Sequence, residues 1–242
     1  MTEPAAAAPP RLRRERPVTV LVLAAALALL VALGVVLGQR HAGRLLEAEL
    51  DLRAERLHAA FSGAVTDDQH HLLLAAALLA EDPTLRALLG QARVALAREG
   101  GGAGGDQAAR LRDDLARHLS PWWEAARGRY GLRHLHIHLA PGAVSFLPMH
   151  RPDEYGDRLG GIRPLVADVI ASGEPRSGLE AGRHGVALRG VVPVTAPGEG
   201  GEVVGAAEIG LPLDHLVGQF RTATGANLSV LLHRDVPPDA PR

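Results

Sequence analysis

Histidine alternates with leucine or isoleucine over residues 134–139, so that His134, His136 and His138 occupy every second position. A period of two is typical of a β-strand, on which these three imidazoles share one face. Two imidazoles on the same strand face can bind one metal ion, and His134 or His150 could add a further ligand.

Histidine pairs of this kind also begin many metal-dependent hydrolases, which suggests a catalytic alternative. Those enzymes are built on barrels of about 250 residues and often carry a carboxylated lysine. The whole chain has 242 residues and no lysine, so too little sequence follows His134. We therefore favour hydrogen-bonding histidines in a pocket or core, with metal binding without catalysis as the alternative, and we assign no catalytic or metal-binding residues.

The composition excludes several other kinds of chemistry. The chain contains no cysteine, which excludes disulfides, thiolate zinc sites, thiol catalysis and iron–sulfur clusters. The absence of lysine excludes the P-loop of nucleotide-binding proteins and Schiff-base chemistry. A formal net charge of −1 gives no basic surface for nucleic acid, and no Gly-x-Ser-x-Gly motif is present. No cofactor is predicted.

The apolar segment 18–37 has the length of a membrane-spanning helix. Its twenty residues include no charge, and at 1.5 Å per residue they cross the roughly 30 Å hydrocarbon layer. A cleaved signal peptide is the alternative, but its apolar part would have about 7–15 residues. We predict a basic cytoplasmic N-terminus over 1–17, a single-pass anchor in the inner membrane and an extracytoplasmic remainder.

Helical periodicity dominates residues 39–130, which we predict to form a helical stalk. Leucines recur at spacings of three and four from Leu45 onward, and the apolar run 72–79 is too short to span a membrane and is expected to be a buried helix. Asp82 followed by Pro83 is typical of an N-cap and the first position of a new helix.

From residue 131 the period becomes that of strands. We expect helices at 162–171 and 213–222, and strands at 132–139, 143–149, 177–180, 186–194, 202–211 and 227–232. Hairpins rather than βαβ repeats join these strands, which excludes Rossmann and TIM-barrel folds. The predicted fold class is α+β, with a mainly antiparallel sheet domain over 131–232 and a disordered tail over 233–242.

Several motifs of the sheet region resemble the Cache sensor domains of chemotaxis receptors, sensor histidine kinases and diguanylate cyclases. They are similar to those of the third double-Cache family, also described as a double sensory domain. The resemblance is close over about a third of the chain and loose over 45–232. It rests on Arg163 and the segments HIHLAP (136–141), SFL (145–147), HRPDEYGDRL (150–159), SGLEAGR (177–183), LRGVVPV (188–194) and VGAAEIG (204–210).

This resemblance implies a PAS-like antiparallel sheet on a long N-terminal helix, dimerisation through the stalk and a small-molecule ligand. Members of the family return to the cytoplasm through a second membrane helix and end in an output module. No second apolar span and no HAMP, kinase or GGDEF module follows residue 232 in this sequence. We expect a truncated receptor or a stand-alone anchored sensor without enzymatic activity of its own, and a second Cache unit is not evident.

A sensor pocket needs a cavity with a few polar groups that hold the ligand. Arginine binds carboxylates and phosphates through paired hydrogen bonds, and an Asp or Glu carboxylate could accept from an amino group. We therefore expect an anionic or amino-acid-like ligand. The candidate ligand-binding residues are His136, His138, Phe146, His150, Arg151, Tyr155, Asp157, Arg163, Glu180 and Arg189.

Structural roles are the alternatives for several of these candidates. Asp157 could cap or brace Arg158 or Arg163, and Glu180 could pair with Arg183 across a turn. Arg189 could be a solvated side chain on its strand. Phe146 is more typical of the core than of a pocket wall.

We predict a membrane-anchored extracytoplasmic small-molecule sensor domain of a signal-transduction receptor. An anchored interaction protein with an empty Cache-like cap, and an extracytoplasmic metal-binding protein, are the alternative functions.

Overall fold

A computed structural model describes residues 17–182, 185–198 and 200–231. The expectations for the basic N-terminus, Arg183 and the C-terminal tail lie outside these residues. The elements in chain order are α1 (Pro17–Ala80), α2 (Pro83–Arg98), α3 (Asp106–Tyr130), β1 (His134–Leu139), β2 (Val144–Pro148), α4 (Pro164–Ser172), β3 (Arg176–Gly182), β4 (Gly185–Thr195), β5 (Val203–Pro212) and α5 (Leu213–Thr224). The α+β class is confirmed.

The chain divides into two compact units, residues 1–56 and 57–242. In the first unit, α1 is exposed along residues 18–56. It contains an 18-residue window with a mean hydropathy of 3.1. This part of α1 is therefore long and apolar enough to cross a membrane.

The apolar run 72–79 forms the end of α1 and is buried on only one side. Leu72 and Leu79 are buried, whereas Leu74 and Leu78 are exposed. The expected buried helix is therefore found on one side of α1 only, the side that faces the sheet.

Asp82 ends the turn after α1 and begins α2 as predicted. Its side chain accepts a hydrogen bond from the backbone N–H of Leu85 at 2.8 Å, and Pro83 is the first helical residue. Both Asp82 carboxylate oxygens also lie 3.0 Å from His118 Nε2 on α3. One residue thus starts α2 and links it to α3.

The five strands form one antiparallel sheet in the order β2-β1-β5-β4-β3. The strand predicted over 227–232 is wrong for its described part, since residues 226–231 lie outside any strand. This segment follows the left-handed cap of α5 at Gly225, and Val230 and Leu231 are exposed. An alternating pattern makes a strand only where a sheet edge is available for pairing.

One face of the sheet, here called the core face, packs on the helices α1, α2, α3 and α5. Trp123 is buried in this core and Trp122 is half-buried against it. At Gly190 a Cβ atom would lie 2.7 Å from the backbone of Leu72 and Leu73, so α1 approaches β4 too closely for a side chain. The core-face strand residues include Leu135, Ile137, Leu139, Leu188, Val192, Val194, Ala207 and Ile209.

The opposite face of the sheet, here called the α4 face, is covered by α4 and by the segment that joins β2 to α4. It carries a smaller apolar cluster that includes Val166 and Val169 of α4 with Val191 and Ala206 of the sheet. Beside this cluster lie the histidines of β1. The predicted segregation of histidine and aliphatic residues onto two faces of β1 is confirmed.

Candidate functional site

A cavity of about 180 Å³ lies on the α4 face. Its walls come from all five strands and from the segment 150–163, which passes over the sheet. The polar side chains that line it are those of His134, His136, Ser145, His150, Arg151, Glu154, Asp157, Arg163 and Arg189.

Three imidazoles line this cavity and a fourth, that of His138, contacts one of them. We call the four the histidine cluster: His134, His136, His138 and His150. The ring centroids of His136 and His138 are 3.9 Å apart, and those of His134 and His150 are 4.8 Å apart. Burial lowers the pKa of all four imidazoles, and that of His134 falls to about 4. The cluster is therefore neutral near pH 7.

A hydrogen-bond chain determines the protonated nitrogen of His136. The Ser145 hydroxyl donates to the backbone carbonyl of Glu154 at 3.0 Å. Because a hydroxyl has one hydrogen, Ser145 Oγ must accept from His136 Nε2, which lies 2.9 Å away. In the neutral ring, Nδ1 of His136 then keeps its lone pair.

The neighbouring His138 is fully buried and donates to a carboxylate. Its Nε2 lies 2.7 Å from Glu208 Oε2, and an ionised carboxylate can only accept. Within the described residues, His138 Nδ1 is buried and has no hydrogen-bond partner. A buried nitrogen without a partner costs free energy unless a ligand or water satisfies it.

Behind the histidine cluster, two arginines and two glutamates form a buried ion network. Arg163 donates from Nη2 to Glu208 Oε1 at 2.7 Å and from Nε to Glu180 Oε2 at 2.5 Å. Arg189 donates from Nη1 to the same Glu208 oxygen. Burial alone would raise the pKa of Glu208, but the two guanidinium groups hold it well below its ordinary value.

Glu180 also fixes the helix that covers the site. Its Oε1 accepts from the backbone N–H of Leu165 at 2.9 Å, in the first turn of α4. The four charges of the network sum to zero. Both guanidinium groups of this network therefore already have carboxylate partners, and the third one at the cavity, that of Arg151, pairs with Glu154 at 2.9 Å.

The structure brings together eight of the ten predicted site residues. His136, His150, Arg151, Asp157, Arg163 and Arg189 line the cavity, and His138 and Glu180 contact residues that do. The alternative of a solvated Arg189 is wrong, because this side chain is buried in the ion network. Within the described residues Glu180 pairs with Arg163, while Arg183 is not described.

Two predicted residues lie away from the cavity. Phe146 is buried in the core, which is the alternative to a pocket wall that the sequence favoured for it. Tyr155 is 39% exposed, and its ring stacks on the guanidinium group of Arg112 at 3.7 Å. Arg112 also donates to the Phe146 carbonyl at 2.9 Å, so these aromatic residues attach α3 to the sheet edge.

The sequence analysis missed Glu208, the centre of the ion network. A single carboxylate in the otherwise uncharged strand Val203–Pro212 was the available signal. Such a residue is buried on either face of a central strand and must find a cationic partner. Arg163 and Arg189 were already candidates for that partner.

The comparison with known families identifies the domain. Residues 53–236 match the family model dCache_3, described as the double sensory domain of two-component sensor kinases. The chain belongs to this family. No curated protein matches the sequence of this double sensory domain.

Solved sensor domains show limited similarity to this double sensory domain. The sensor domain of the V. cholerae histidine kinase DctB is 12% identical, with 70% of this chain and 58% of that chain covered at a TM-score of 0.49. The E. coli DcuS sensor domain is 18% identical, with 67% and 98% covered at 0.44. The ligand-binding domain of the Pseudomonas aeruginosa PAO1 chemoreceptor PctC, solved with GABA, is 17% identical, with 60% and 69% covered at 0.30.

Proposed function

We propose that this chain is a membrane-anchored extracytoplasmic sensor domain whose small-molecule ligand binds in the cavity of the α4 face. The observation that carries the proposal is the histidine-lined cavity within a double sensory domain. Segment 18–37 is the anchor, the helical stalk predicted over 39–130 mediates homodimerisation, and the output module lies outside this chain. The domain itself catalyses no reaction and binds no nucleic acid.

The cavity limits the size and charge of the ligand. Its volume of about 180 Å³ is below the roughly 300–1,000 Å³ of clefts that hold drug-sized ligands. An anionic or amino-acid-like ligand would have to share Arg163 or Arg189 with Glu180 and Glu208, or Arg151 with Glu154. The histidine cluster, by contrast, offers neutral nitrogen donors and acceptors without breaking an ion pair.

The two faces of β4 supply a route from ligand to helix. Arg189 lines the cavity on the α4 face, and the next residue, Gly190, touches the backbone of α1 at Leu72 on the core face. A displacement of β4 at Arg189 therefore reaches α1 through one peptide unit. A ligand that binds one position of β4 more tightly than the other shifts the population of α1 positions.

Thermal melting of the full chain in detergent micelles tests the proposal. The panel consists of organic acids, amino acids, amines and divalent metal ions. A ligand at about 100 times its Kd stabilises the folded state by roughly 2.7 kcal/mol, which raises Tm measurably. We expect one class to raise Tm, and this shift to shrink in His150→Ala.

The matched control is Arg117→Ala, which removes an exposed side chain of α3 far from the cavity. It should keep the full shift in Tm. If no compound raises Tm, or if His150→Ala responds like the control, ligand sensing at this cavity is wrong. An anchored interaction protein would then explain the chain better.

A further inference from the structure

Three side chains beside the cavity offer metal-binding atoms at short range. His136, His138 and Glu208 each present one ligand atom, and these three atoms lie within 4.8 Å of one another. His136 stands directly opposite Glu208 on the neighbouring strand, and His138 follows two residues later on the same face. Two paired strands therefore hold the trio, so its spacing does not depend on a loop.

The trio has lone pairs that the surrounding network does not use. Both guanidinium groups bind Glu208 through Oε1, while Oε2 contacts only His138 among the described hydrogen bonds. Among the described residues His138 Nδ1 is buried without a hydrogen-bond partner. An ion can take the place of the proton between His138 Nε2 and Glu208 Oε2 if that proton moves to His138 Nδ1, so that the ring stays a neutral imidazole and binds the ion through Nε2.

We propose that His136, His138 and Glu208 bind one divalent transition-metal ion, and that this ion is the signal detected at the cavity. The inference rests on the proposed sensor function and names its ligand class. Two imidazoles and one carboxylate form a ligand set suited to Zn²⁺, Ni²⁺ or Cu²⁺. His136 lines the cavity, which gives the ion its path from solvent.

The same residues argue against hard cations. Ca²⁺ takes six to eight oxygen ligands and Mg²⁺ prefers an octahedron of oxygens, whereas the trio supplies one carboxylate. The positive charges of Arg163 and Arg189, which pair with Glu208, also weaken the purely electrostatic attraction of this carboxylate for a cation. Selectivity for imidazole-binding metals follows from these two facts.

The test uses the full untagged chain in detergent micelles after treatment with a chelator. Tm and isothermal titration are measured with Zn²⁺, Ni²⁺, Ca²⁺ and Mg²⁺ for the wild type, His136→Gln and His138→Gln. The control His70→Gln removes an exposed histidine of α1. We expect Zn²⁺ or Ni²⁺ to bind the wild type and His70→Gln equally well.

Both cavity variants should bind at least about tenfold more weakly, since even outer-shell partners contribute 10- to 100-fold to metal affinity. Electron paramagnetic resonance of the Cu²⁺-loaded wild type supplies a measurement that does not need a folded variant. Its spectrum should show coupling to imidazole nitrogens. A spectrum without nitrogen coupling would overturn the proposal.

Three further outcomes separate this proposal from the sensor function itself. Unchanged metal affinity in both cavity variants, or equal binding of Mg²⁺ and Zn²⁺, would place the ion elsewhere and overturn the metal proposal. A Tm shift with an organic compound but with no metal would overturn it while leaving the sensor function intact. The absence of any shift would count against both.

Discussion

The two faces of the sheet are both buried, but they are filled in different ways. The core face packs aliphatic side chains such as Ile137 and Ile209 against four helices. The α4 face buries Glu208, Arg163 and Arg189 beside the histidine cluster. Adjacent residues of one strand therefore occupy environments with opposite requirements.

This difference predicts how each face responds to substitution. Aliphatic contacts on the core face are many and individually weak. A small change therefore costs only the free energy that belongs to the apolar area and volume it removes. The ion network depends on complete pairing, because removal of one member leaves another charge buried without compensation. The α4 face should thus be the more sensitive of the two to isosteric changes.

Glu208→Gln should have the largest effect, because it removes a charge while it preserves shape. Arg163 and Arg189 would then share Glu180 alone. Breaking a buried pair from one side costs about 3–5 kcal/mol. The matched control Ile209→Val, the next residue of β5 on the core face, should cost about 0.5–1.5 kcal/mol.

Thermal and chemical unfolding of the full chain in detergent micelles compares these two variants. The α4 face is not the more sensitive of the two if Ile209→Val costs as much free energy of unfolding as Glu208→Gln. In that case the ion network would contribute no more than ordinary packing.

Gly190→Ala tests where the core face is least tolerant. Its added Cβ would lie 2.7 Å from the backbone of Leu72 and Leu73, which cannot rotate away. Overpacking of this kind costs about 1–3 kcal/mol. On β3, a Cβ at Gly178 would meet nothing closer than Leu165 Cδ1 at 4.0 Å, so Gly178→Ala should change the stability by no more than about 0.5 kcal/mol.

Tm measurements on the two glycine variants show whether Gly190→Ala loses more stability than Gly178→Ala. Equal losses would mean that α1 can move off β4 without cost. The coupling of Arg189 to α1 through Gly190 would then lose its support as well.

The two faces also differ in how far the sequence could predict them. Alternation along β1 assigned each residue to a face, and the Asp82–Pro83 pair located the start of α2, because both signals are local. The partners of Glu208 come from β1, β4 and the residue before α4, so no sequence spacing brings them together. The strand expected over 227–232 failed for the same reason, since pairing depends on a distant edge.

Glu99 provides a half-buried counterpart to the fully buried Glu208 and should show the smallest effect. Its carboxylate accepts from the backbone N–H groups of Gly105, Gln107 and Ala108 at the start of α3. The hydrogen bonds from Gln107 and Ala108 are the main reason that the pKa of Glu99 lies below its usual value. A carboxylate six residues before the N-cap matches no capping motif, so sequence patterns did not predict it.

The sign of the pH effect follows from the lowered pKa of Glu99. Its stabilisation is fully present above the pKa of the unfolded chain and is lost as the pH falls through the folded value. Glu99→Gln should therefore lower Tm slightly near pH 7, and the difference from the wild type should vanish in acid. Glu124→Gln, an exposed change within α3, is the control and should leave Tm unchanged. A difference that persists at acid pH would show that the shape of the Glu99 side chain, and not its charge, holds the start of α3.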